Sequence, residues 1–422
     1  MSVTRRVEPA ERPTNATIQQ AVDAVAAAGG GVVEVPAGAY AMHDALRLRS
    51  GVRVVGEAGA VLRKVPSVSS TIPDHLGYGH YEITVDEPDK FRVGMGVHVL
   101  DDGGRGFYTT VASIIGKEGD RLFIDRMLNH DCSPGQNAIA VSVYPVVEAA
   151  GVSDASIEGV TVDGNKDEEP FTLNGCRGGG VFAIRSHRLT VRGVEVMDYR
   201  RDGISFQQCT DVRVEDCHVH DNTGGGLHPG SGTVRYVMQR NRVHDNGGCG
   251  VYYCLRTTHS ICRDNTITGN AEAGISIGTR DTDHVVTGNT ITGNGGPAIQ
   301  FRGFTRQGGD RVRIEGNAIG PNCAGDAEHE IAIRAGVRGV HVVGNTIQPG
   351  TGAAFGVGDG CEQVCIESNI VAGRPQEPGD VAGAPDGVAF TDPIGPAALP
   401  LDGARHLNIP HLAPWEDFHA DA

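Results

Sequence analysis

Residues 241–294 read NRVHDNGGCGVYYCLRTTHSICRDNTITGNAEAGISIGTRDTDHVVTGNTITGN, and one short pattern recurs in this stretch three times. Its asparagines Asn241, Asn265 and Asn289 lie 24 residues apart, and Asn317, Asn345 and Asn369 continue the series at intervals of 28, 28 and 24. A second series repeats every 24 residues, at Asn222, Asn246, Asn270 and Asn294. Repetition at such a period predicts a solenoid in which each repeat forms one coil and stacks on its neighbours.

Short apolar segments that begin with glycine keep the same period, as in Gly250-Val251-Tyr252-Tyr253 and Gly274-Ile275-Ser276-Ile277. Each coil is expected to hold two or three short strands joined by tight turns. Asparagine tolerates the left-handed backbone of such turns, and stacked asparagine side chains can hydrogen-bond along their column. The predicted fold is all-β, a single-stranded right-handed parallel β-helix, which places residues that are distant in sequence side by side.

Composition fits this architecture and limits the partners. The 422 residues include 61 glycines and only 5% aromatic residues, which suits many tight turns around a long core. A formal net charge of −16 argues against nucleic acid or an anionic membrane as the general partner. No apolar run approaches the roughly 18 residues of a transmembrane helix. The oligomeric state stays open.

Two further features constrain location and redox chemistry. Residues 1–14 lack the apolar core of a signal peptide, so a cytoplasmic protein and a secreted protein after signal removal both stay open. The ten cysteines show no paired zinc spacing. Cys217 falls on the asparagine column, so we expect the cysteines to be buried packing residues.

The N-terminal segment predicts a helix that covers the end of the solenoid. Asn15 can cap a helix through Thr17 to Val25, which ends at Gly29-Gly30-Gly31. The sequence ATIQQAVDAVAAAGGGVVEVPAGAY (16–40), with GVTVDGNKD (159–167), resembles the pectate-lyase-like β-helix enzymes, which include polygalacturonases and mannuronan C5-epimerases. This resemblance covers residues 12–62 and 150–372, and it implies a β-helix fold, activity on carbohydrate and an oligo- or polysaccharide as the partner.

The periodicity of the repeats, and the segments where it is interrupted, divide the chain into four parts. Residues 1–63 are expected to form the capping helix and first coils, and residues 64–150 a small β insertion. Residues 151–372 carry the coils of the β-helix. The Pro- and Gly-rich residues 373–422 form a C-terminal tail without the period.

Strand alternation selects a candidate site. Side chains alternate between the two faces of a strand, so Ile204 and Phe206 point inward and Ser205 outward. Aligned by their glycines, the coils give an outward column with His228 and Tyr252 one rung apart, about 4.8 Å. Proton abstraction beside a uronate carboxylate needs a base, an acid and a cation. The predicted catalytic residues are therefore His228 as base, Tyr252 as acid or opposite base, Asp202 as orienting group and Arg256 as carboxylate ligand. The predicted substrate-binding residues are Arg201, Gln207, Arg280, Gln300 and Arg302.

Other functions stay open on the sequence. The signature motifs of polygalacturonases and of the epimerases are absent. The preferred function, a polysaccharide lyase or C5-epimerase that acts on an acidic glycan, therefore rests only on the chemistry of the outward residues. A glycoside hydrolase would need two carboxylates roughly 5 to 9.5 Å apart, for which the nearest candidates are Asp202, Asp281, Asp283, Glu328 and Glu330. A non-catalytic glycan-binding or structural β-helix is the third possibility. No metal or cofactor is predicted, because acidic groups are too scattered for a clear calcium site.

Overall fold

The computed structural model describes residues 3–8, 10–104, 106–303, 308–323, 329–334 and 336–383, and the backbone of 388–389. These residues form two compact units. Unit 1 takes in the described residues up to 186 together with 193–205 and 221–224, and unit 2 takes in 187–192, 206–220 and the described residues from 225 onward. Most of the predicted tail, residues 373–422, lies outside the described residues.

Unit 1 opens with the predicted helix, α1, at Asn15–Ala27. Thr14, rather than Asn15, is its N-cap residue, and the Thr14 N–H donates to Oγ1 of Thr17 at 3.1 Å. The Asn15 side chain instead accepts from the His43 N–H at 3.1 Å and so ties the helix to a neighbouring strand. Ile18, Val22 and Val25 of α1 are buried, which is the apolar face that the sequence predicted.

The coils of unit 1 contribute to three sheets, called sheets A, B and C. Sheet A receives Val3–Arg6, Gly31–Val35, Val52–Gly56 and Ser153–Glu158. Sheet B receives Gly38–Met42, Ala60–Lys64, Thr161–Asp163 and Glu195–Met197. Sheet C receives Leu46–Arg47, Val147–Ala150 and Val181–Ile184, and Ile204–Gln207 begins in unit 1 and ends in unit 2.

Within the segment predicted as an insertion, unit 1 has a separate six-stranded sheet. Its strands, in spatial order, are Ser69–Thr71, Ile139–Val141, Gly96–Leu100, Thr110–Glu118, Arg121–Ile124 and Glu82–Thr84. The strands pair antiparallel around a core that includes Ile83, Val97 and Leu122. Short 3-10 turns of unit 1 lie at Pro88–Lys90, Gly106–Tyr108, Pro134–Gln136 and Lys166–Glu168.

Unit 2 repeats the same three-sheet coil. Its sheet A strands are His187–Arg192, Thr210–Glu215, Val234–Gln239, Thr258–Arg263, Thr282–Thr287, Val312–Glu315, His341–Val343, Val364–Glu367 and Val388–Ala389. Its sheet B strands are His218–His220, Arg242–His244, Thr266–Thr268, Thr290–Thr292, Ala318–Ile319, Thr346–Ile347, Ile370–Val371 and Arg374–Pro375. Its sheet C strands are Leu227–Gly230, Val251–Tyr252, Ile275–Ile277, Ile299–Phe301, His329–Ile333, Ala353–Val357 and Val381–Ala382. A 3-10 turn lies at Pro378–Asp380.

The asparagine series forms a ladder inside unit 2. The backbone N–H and Nδ2 of Asn241 both donate to Oδ1 of Asn265 at 2.9 Å, and Asn265 makes the same pair of bonds to Asn289 at 3.0 and 2.9 Å. The pattern continues through Asn317 and Asn345 to Asn369. Each coil is therefore locked to the next by buried amides, which satisfies backbone donors that a turn leaves without a partner.

The ladder residues do not occupy the left-handed backbone region that the sequence analysis gave them. That conformation belongs to the preceding residue, with φ of 54° at Arg240, 55° at Asp264 and 64° at Gly288. The turn needs one left-handed residue, and the following asparagine is then free to point its amide along the stack. As expected, Cys217 lies buried on this column, where its N–H donates to Asn241 Oδ1 at 3.0 Å. All ten cysteines are free, and seven are buried as expected, whereas Cys176, Cys254 and Cys365 are only partly buried.

Candidate functional site

The outward face of sheet C in unit 2 carries the predicted site. Val251 pairs with Ile275, and Ile275 with Ile299, and all three are fully buried in the core. The next residue of each strand points to the opposite face, so Tyr252, Ser276 and Gln300 form one outward column, which Ala332 and Gly356 continue. The alternation deduced from the sequence thus gives the correct face at these positions.

Three of the predicted residues come together on this face. The His228 ring meets the Tyr252 ring edge to face, with 5.3 Å between the centroids and an interplanar angle of 86°. The guanidinium carbon of Arg302 lies 4.2 Å from the Tyr252 ring centroid, in a cation–π contact. His228, Tyr252 and Arg302 therefore form a continuous stack, called the aromatic–arginine stack below.

The stack is less exposed than the sequence suggested. His228 is 6% exposed, whereas Tyr252 and Arg302 are partly exposed. Outward parity fixes the direction of a side chain but not what lies beside it. Rungs only about 4.8 Å apart let the Tyr252 ring pack against His228, so the expectation of a solvent-facing His228 was wrong.

Arg302 is held by protein groups. Its Nη1 donates to Ser276 Oγ at 2.7 Å, its Nη2 donates to the Tyr253 carbonyl at 2.5 Å, and Asp281 lies 3.7 Å away. Gly278 provides the necessary space, because a Cβ there would lie 1.8 Å from Arg302 Nη2. These contacts engage both terminal nitrogens of the guanidinium. Arg302 therefore orders the face and the Tyr252 ring and does not offer the open two-pronged carboxylate grip that the sequence analysis predicted.

Burial sets the electrostatics of the stack. Desolvation raises the pKa of Tyr252 above its ordinary value, and the Arg302 charge opposes that rise. Desolvation also raises the pKa of the Asp281 carboxyl, against the hydrogen bonds from Thr257 and the charge of Arg302. Tyr252 is thus a phenol at neutral pH whose ionised form has a cation directly over the ring.

The remaining predicted residues lie in several environments. Gln300 is in the outward column, where its Nε2 donates to Ser276 Oγ at 3.1 Å. Gln207 is fully buried beneath Gly230, whose Cβ would lie 2.5 Å from Gln207 Oε1. Both Arg256 and Arg280 are exposed in turns with positive φ.

Two more predicted residues belong to the other unit. Arg201 is exposed and Asp202 is 6% exposed, and both lie in unit 1. The stack is built from unit 2 residues alone.

The same face opens into a cleft that the sequence analysis did not assign. It has a volume of about 250 Å³ and its lining includes His329, Ala332, Arg334 and Gly356. Gly356 leaves room for the imidazole, since a Cβ there would lie 2.0 Å from His329 Cδ2. Arg334 shares the outward column of Arg302, and that shared register was the sequence signal for it.

Three of the carboxylates considered for hydrolysis are engaged elsewhere, and Glu328 lies outside the described residues. Asp281 is fully buried and accepts hydrogen bonds from Thr257 at 2.9 Å and from the Gly278 N–H at 2.9 Å. Asp283 pairs with Arg311 at 2.6 Å. Glu330 accepts from Asn322 at 3.0 and 2.9 Å, as the last member of the second asparagine ladder. These three carboxylates serve as internal hydrogen-bond acceptors or ion-pair partners.

Three groups of side chains among the described residues have the spacing of metal ligands. They are His218 with His220 and His244, Asp101 with His130 and Cys132, and His341 with Cys365 and Glu367. No helix in the described part of the chain is long and apolar enough to span a membrane.

Comparison with known proteins identifies the fold. The family model described as right-handed beta helix region matches residues 145–319. No curated protein sequence matches the chain. Together with the stacked coils, the family match confirms the predicted right-handed parallel β-helix.

Solved structures of similar architecture include proteins with different roles. The A-module of an Azotobacter vinelandii mannuronan C-5 epimerase is similar with a TM-score of 0.58 and 17% identity, over 92% of this chain and 100% of that one. A surface adhesin of Streptococcus pneumoniae gives 0.53 and 12%, over 87% and 85% of the two chains. A glycoside hydrolase gives 0.55 and 9%, over 87% and 96%. At such low identity the similarity shows the fold, and the resemblance stated from the sequence is confirmed at that level.

Proposed function

We propose that this protein is a carbohydrate-active enzyme that removes the proton beside the carboxylate of a uronate sugar, as a polysaccharide lyase or a C5-epimerase. The observation that carries the proposal is the aromatic–arginine stack on an outward β-helix face that continues into a cleft. Structures of the same fold that include an epimerase and a glycoside hydrolase support a carbohydrate substrate.

In this proposal Tyr252 exchanges a proton with the substrate. It is the better exposed of the two candidate proton carriers, and the Arg302 guanidinium 4.2 Å from its ring stabilises the phenolate that forms when the proton leaves. In β-elimination a base takes the carbon-5 proton and the Tyr252 phenol protonates the leaving glycosidic oxygen, whereas in epimerisation the phenol gives its own solvent-exchangeable proton to carbon 5 from the other side of the ring. His228, in edge contact with Tyr252, is the proposed second proton-transferring group.

The cleft supplies the proposed contacts to the neighbouring sugar. Three rungs separate Tyr252 from Ala332 at the cleft floor, a distance of about 14 Å at 4.8 Å per rung. Arg334 is exposed at the cleft and, among the described residues, makes none of the contacts that hold Arg302, so it can bind a uronate carboxylate with both guanidinium nitrogens. A glycan would then run along sheet C, perpendicular to the strands.

The alternative of a glycoside hydrolase has less support. Hydrolysis generally needs two carboxylates flanking the scissile bond, and Asp281, Asp283 and Glu330 are already held by internal contacts. A non-catalytic glycan-binding protein would use the same cleft without turnover.

One assay distinguishes these functions. The full chain is incubated in heavy water with homopolymers of uronic acids and, separately, with neutral glucans. Three products are then measured: ultraviolet-absorbing unsaturated ends, new reducing ends, and deuterium at carbon 5. A lyase gives absorbance, an epimerase gives deuterium without chain cleavage, and a hydrolase gives reducing ends without absorbance. Turnover of neutral glucans alone, or binding of uronates without any of the three products, would overturn the proposal.

The variants Tyr252→Phe and Tyr253→Phe form a matched pair for the same assay. The first keeps the ring that packs on His228 and Arg302 but removes the hydroxyl. The second removes the hydroxyl of the adjacent, fully buried tyrosine, whose OH lies 3.4 Å from Ser260 Oγ. Loss of turnover in the first variant and near-normal turnover in the second is expected. Equal activity of both variants would remove Tyr252 from the mechanism.

A further inference from the structure

Three histidines of unit 2 form a cluster on the outward face of sheet B. His218 and His220 are two residues apart in one strand, so their side chains share a face, and Val219 between them is fully buried in the core. His244 lies on the next strand, where it pairs directly with His220. The ring centroids are separated by 4.1 Å for His218–His220, 4.9 Å for His218–His244 and 5.0 Å for His220–His244. Each residue offers one ring nitrogen, and these three nitrogens all lie within 4.8 Å of one another.

The hydrogen bonds of His244 aim a lone pair into this cluster. Its Nδ1 lies 2.6 Å from Oδ2 of Asp245, and a carboxylate there holds the proton on Nδ1. The His244 Nε2 is then an acceptor, and it lies 2.7 Å from Nε2 of His218, which donates to it. A carboxylate behind a histidine that faces a metal is the usual arrangement for orienting a metal-ligating imidazole. Asp245 therefore has the position and chemistry of such a supporting group.

The distances suit a small divalent cation after modest side-chain rotation. Zinc binds imidazole nitrogens at about 2.0–2.1 Å, which places the nitrogens of a tetrahedral site about 3.4 Å apart. The present separations, 2.7 Å and at most 4.8 Å, bracket that value. The backbone beneath is fixed by a parallel ladder, so only χ rotations are required.

The other two groups with metal-ligand spacing are less suited. In one, burial raises the pKa of the Cys132 thiol to about 12, which opposes the thiolate form that binds metal. In the other, the Arg313 guanidinium lies 3.0 Å from Nδ1 of His341, and a cation there repels a second one. In the sheet B cluster, Arg242 is the register partner of His218 on the next strand, and its side chain is exposed to solvent.

We propose that His218, His220 and His244 form a binding site for a divalent transition metal of the zinc and copper class, with Asp245 orienting His244. Three imidazoles leave the fourth position of a tetrahedral ion open to water or to an exogenous ligand. Imidazole donors select these ions over magnesium and calcium, which prefer oxygen ligands. This site lies on a different sheet from the aromatic–arginine stack and does not depend on the proposed function.

The test is calorimetric titration of the metal-free full chain with Zn²⁺, in the presence of excess Mg²⁺. The variant His218→Ala/His244→Ala is titrated in parallel, and His75→Ala, which removes an exposed histidine of the insertion, is the matched control. The wild type and the control are expected to bind one more Zn²⁺ than the double variant. Asp245→Asn should keep that site but weaken it by about 10- to 100-fold.

Thermal unfolding gives a second readout that does not depend on the heat of binding. Zn²⁺ should raise the unfolding temperature of the wild type and of His75→Ala, because the ion binds only the folded arrangement. The single variant His220→Gln, which keeps a polar side chain of similar size, should lose most of this rise. Equal Zn²⁺ stoichiometry in wild type and double variant, or an equal temperature rise in His220→Gln and wild type, would overturn the proposal.

Discussion

Replacement of Asn265 by alanine tests whether the asparagine ladder holds the coils together. Asn265 is 1% exposed, and its Oδ1 accepts two hydrogen bonds from Asn241, both at 2.9 Å. Its Nδ2 donates to the Met238 carbonyl at 2.9 Å and to Asn289 Oδ1 at 2.9 Å. Asn265→Ala removes the side-chain partner of a buried backbone N–H on one coil and of a buried carbonyl.

The expected cost follows from those lost partners. A buried polar group that loses its hydrogen-bond partner costs about 1–3 kcal/mol, so two such groups predict a loss of about 2–6 kcal/mol in the free energy of unfolding. The control is Thr266→Ala at the adjacent, exposed position, where a change within about 0.5 kcal/mol is expected.

Urea unfolding followed by circular dichroism and by tyrosine fluorescence measures both variants. Coincidence of the two signals shows that a single free energy describes the transition. A loss below about 1 kcal/mol in Asn265→Ala, or a loss equal to that of Thr266→Ala, would refute the structural role given to the ladder.

Three further predictions follow from individual side chains. Gly278→Ala should displace the Arg302 guanidinium, since the new Cβ would lie 1.8 Å from Nη2, and should reduce turnover of the substrate more than Gly379→Ala, whose Cβ would meet nothing within 4 Å. Arg334→Ala should raise KM for a uronate polymer at least about tenfold with little change in the unfolding temperature, because the side chain is exposed at the cleft. Burial lowers the pKa of His284 to about 3, so the unfolded chain takes up a proton below about pH 6.5 that the folded chain refuses. Stability should therefore fall by about 1.4 kcal/mol per pH unit as pH decreases from about 6.5 toward 3, and urea titrations of His284→Gln should show a smaller slope.

The fold could be predicted from the sequence because the interval between successive asparagines equals the number of residues in one coil. Asn241, Asn265 and Asn289 each make the same contacts one rung apart, so a regular sequence interval corresponds to a regular spatial step. The helix at Asn15–Ala27 was predictable for a similar local reason, since its apolar spacing defines one buried face. The sequence analysis assigned the left-handed conformation to the wrong turn residue, because Asn adopts it as readily as Asp264, which precedes Asn265.

For the candidate site, the sequence could predict only which residues of each strand face outward, from the alternation of side chains along the strand. Parity placed Tyr252 and His228 on the outward face and brought Arg302 near them, as the structure shows. Parity carries no information on what a long side chain bonds to. Nothing in the sequence therefore indicated that Arg302 donates hydrogen bonds to Ser276 and Tyr253, or that His228 is almost completely buried.

The sequence analysis did not predict the cleft, because the cleft exists where the outward residues have small side chains or none. Gly356 and Ala332 create the space by being small, and small residues in outward positions look unremarkable in a glycine-rich sequence. His329 enters that space because Gly356 has no Cβ. The arginine column from Arg302 to Arg334 was the one feature that pointed toward it.

The most direct test of the proposed function is deuterium incorporation at carbon 5 of a uronate polymer incubated with the full chain in heavy water, measured by mass spectrometry of the recovered sugars and of any unsaturated product. Proton abstraction by the aromatic–arginine stack predicts either deuterium at carbon 5 or an unsaturated end formed by loss of that proton, in wild type and in Tyr253→Phe but not in Tyr252→Phe. Recovery of uronates with neither deuterium nor unsaturation, or equal exchange in Tyr252→Phe and wild type, would contradict the account.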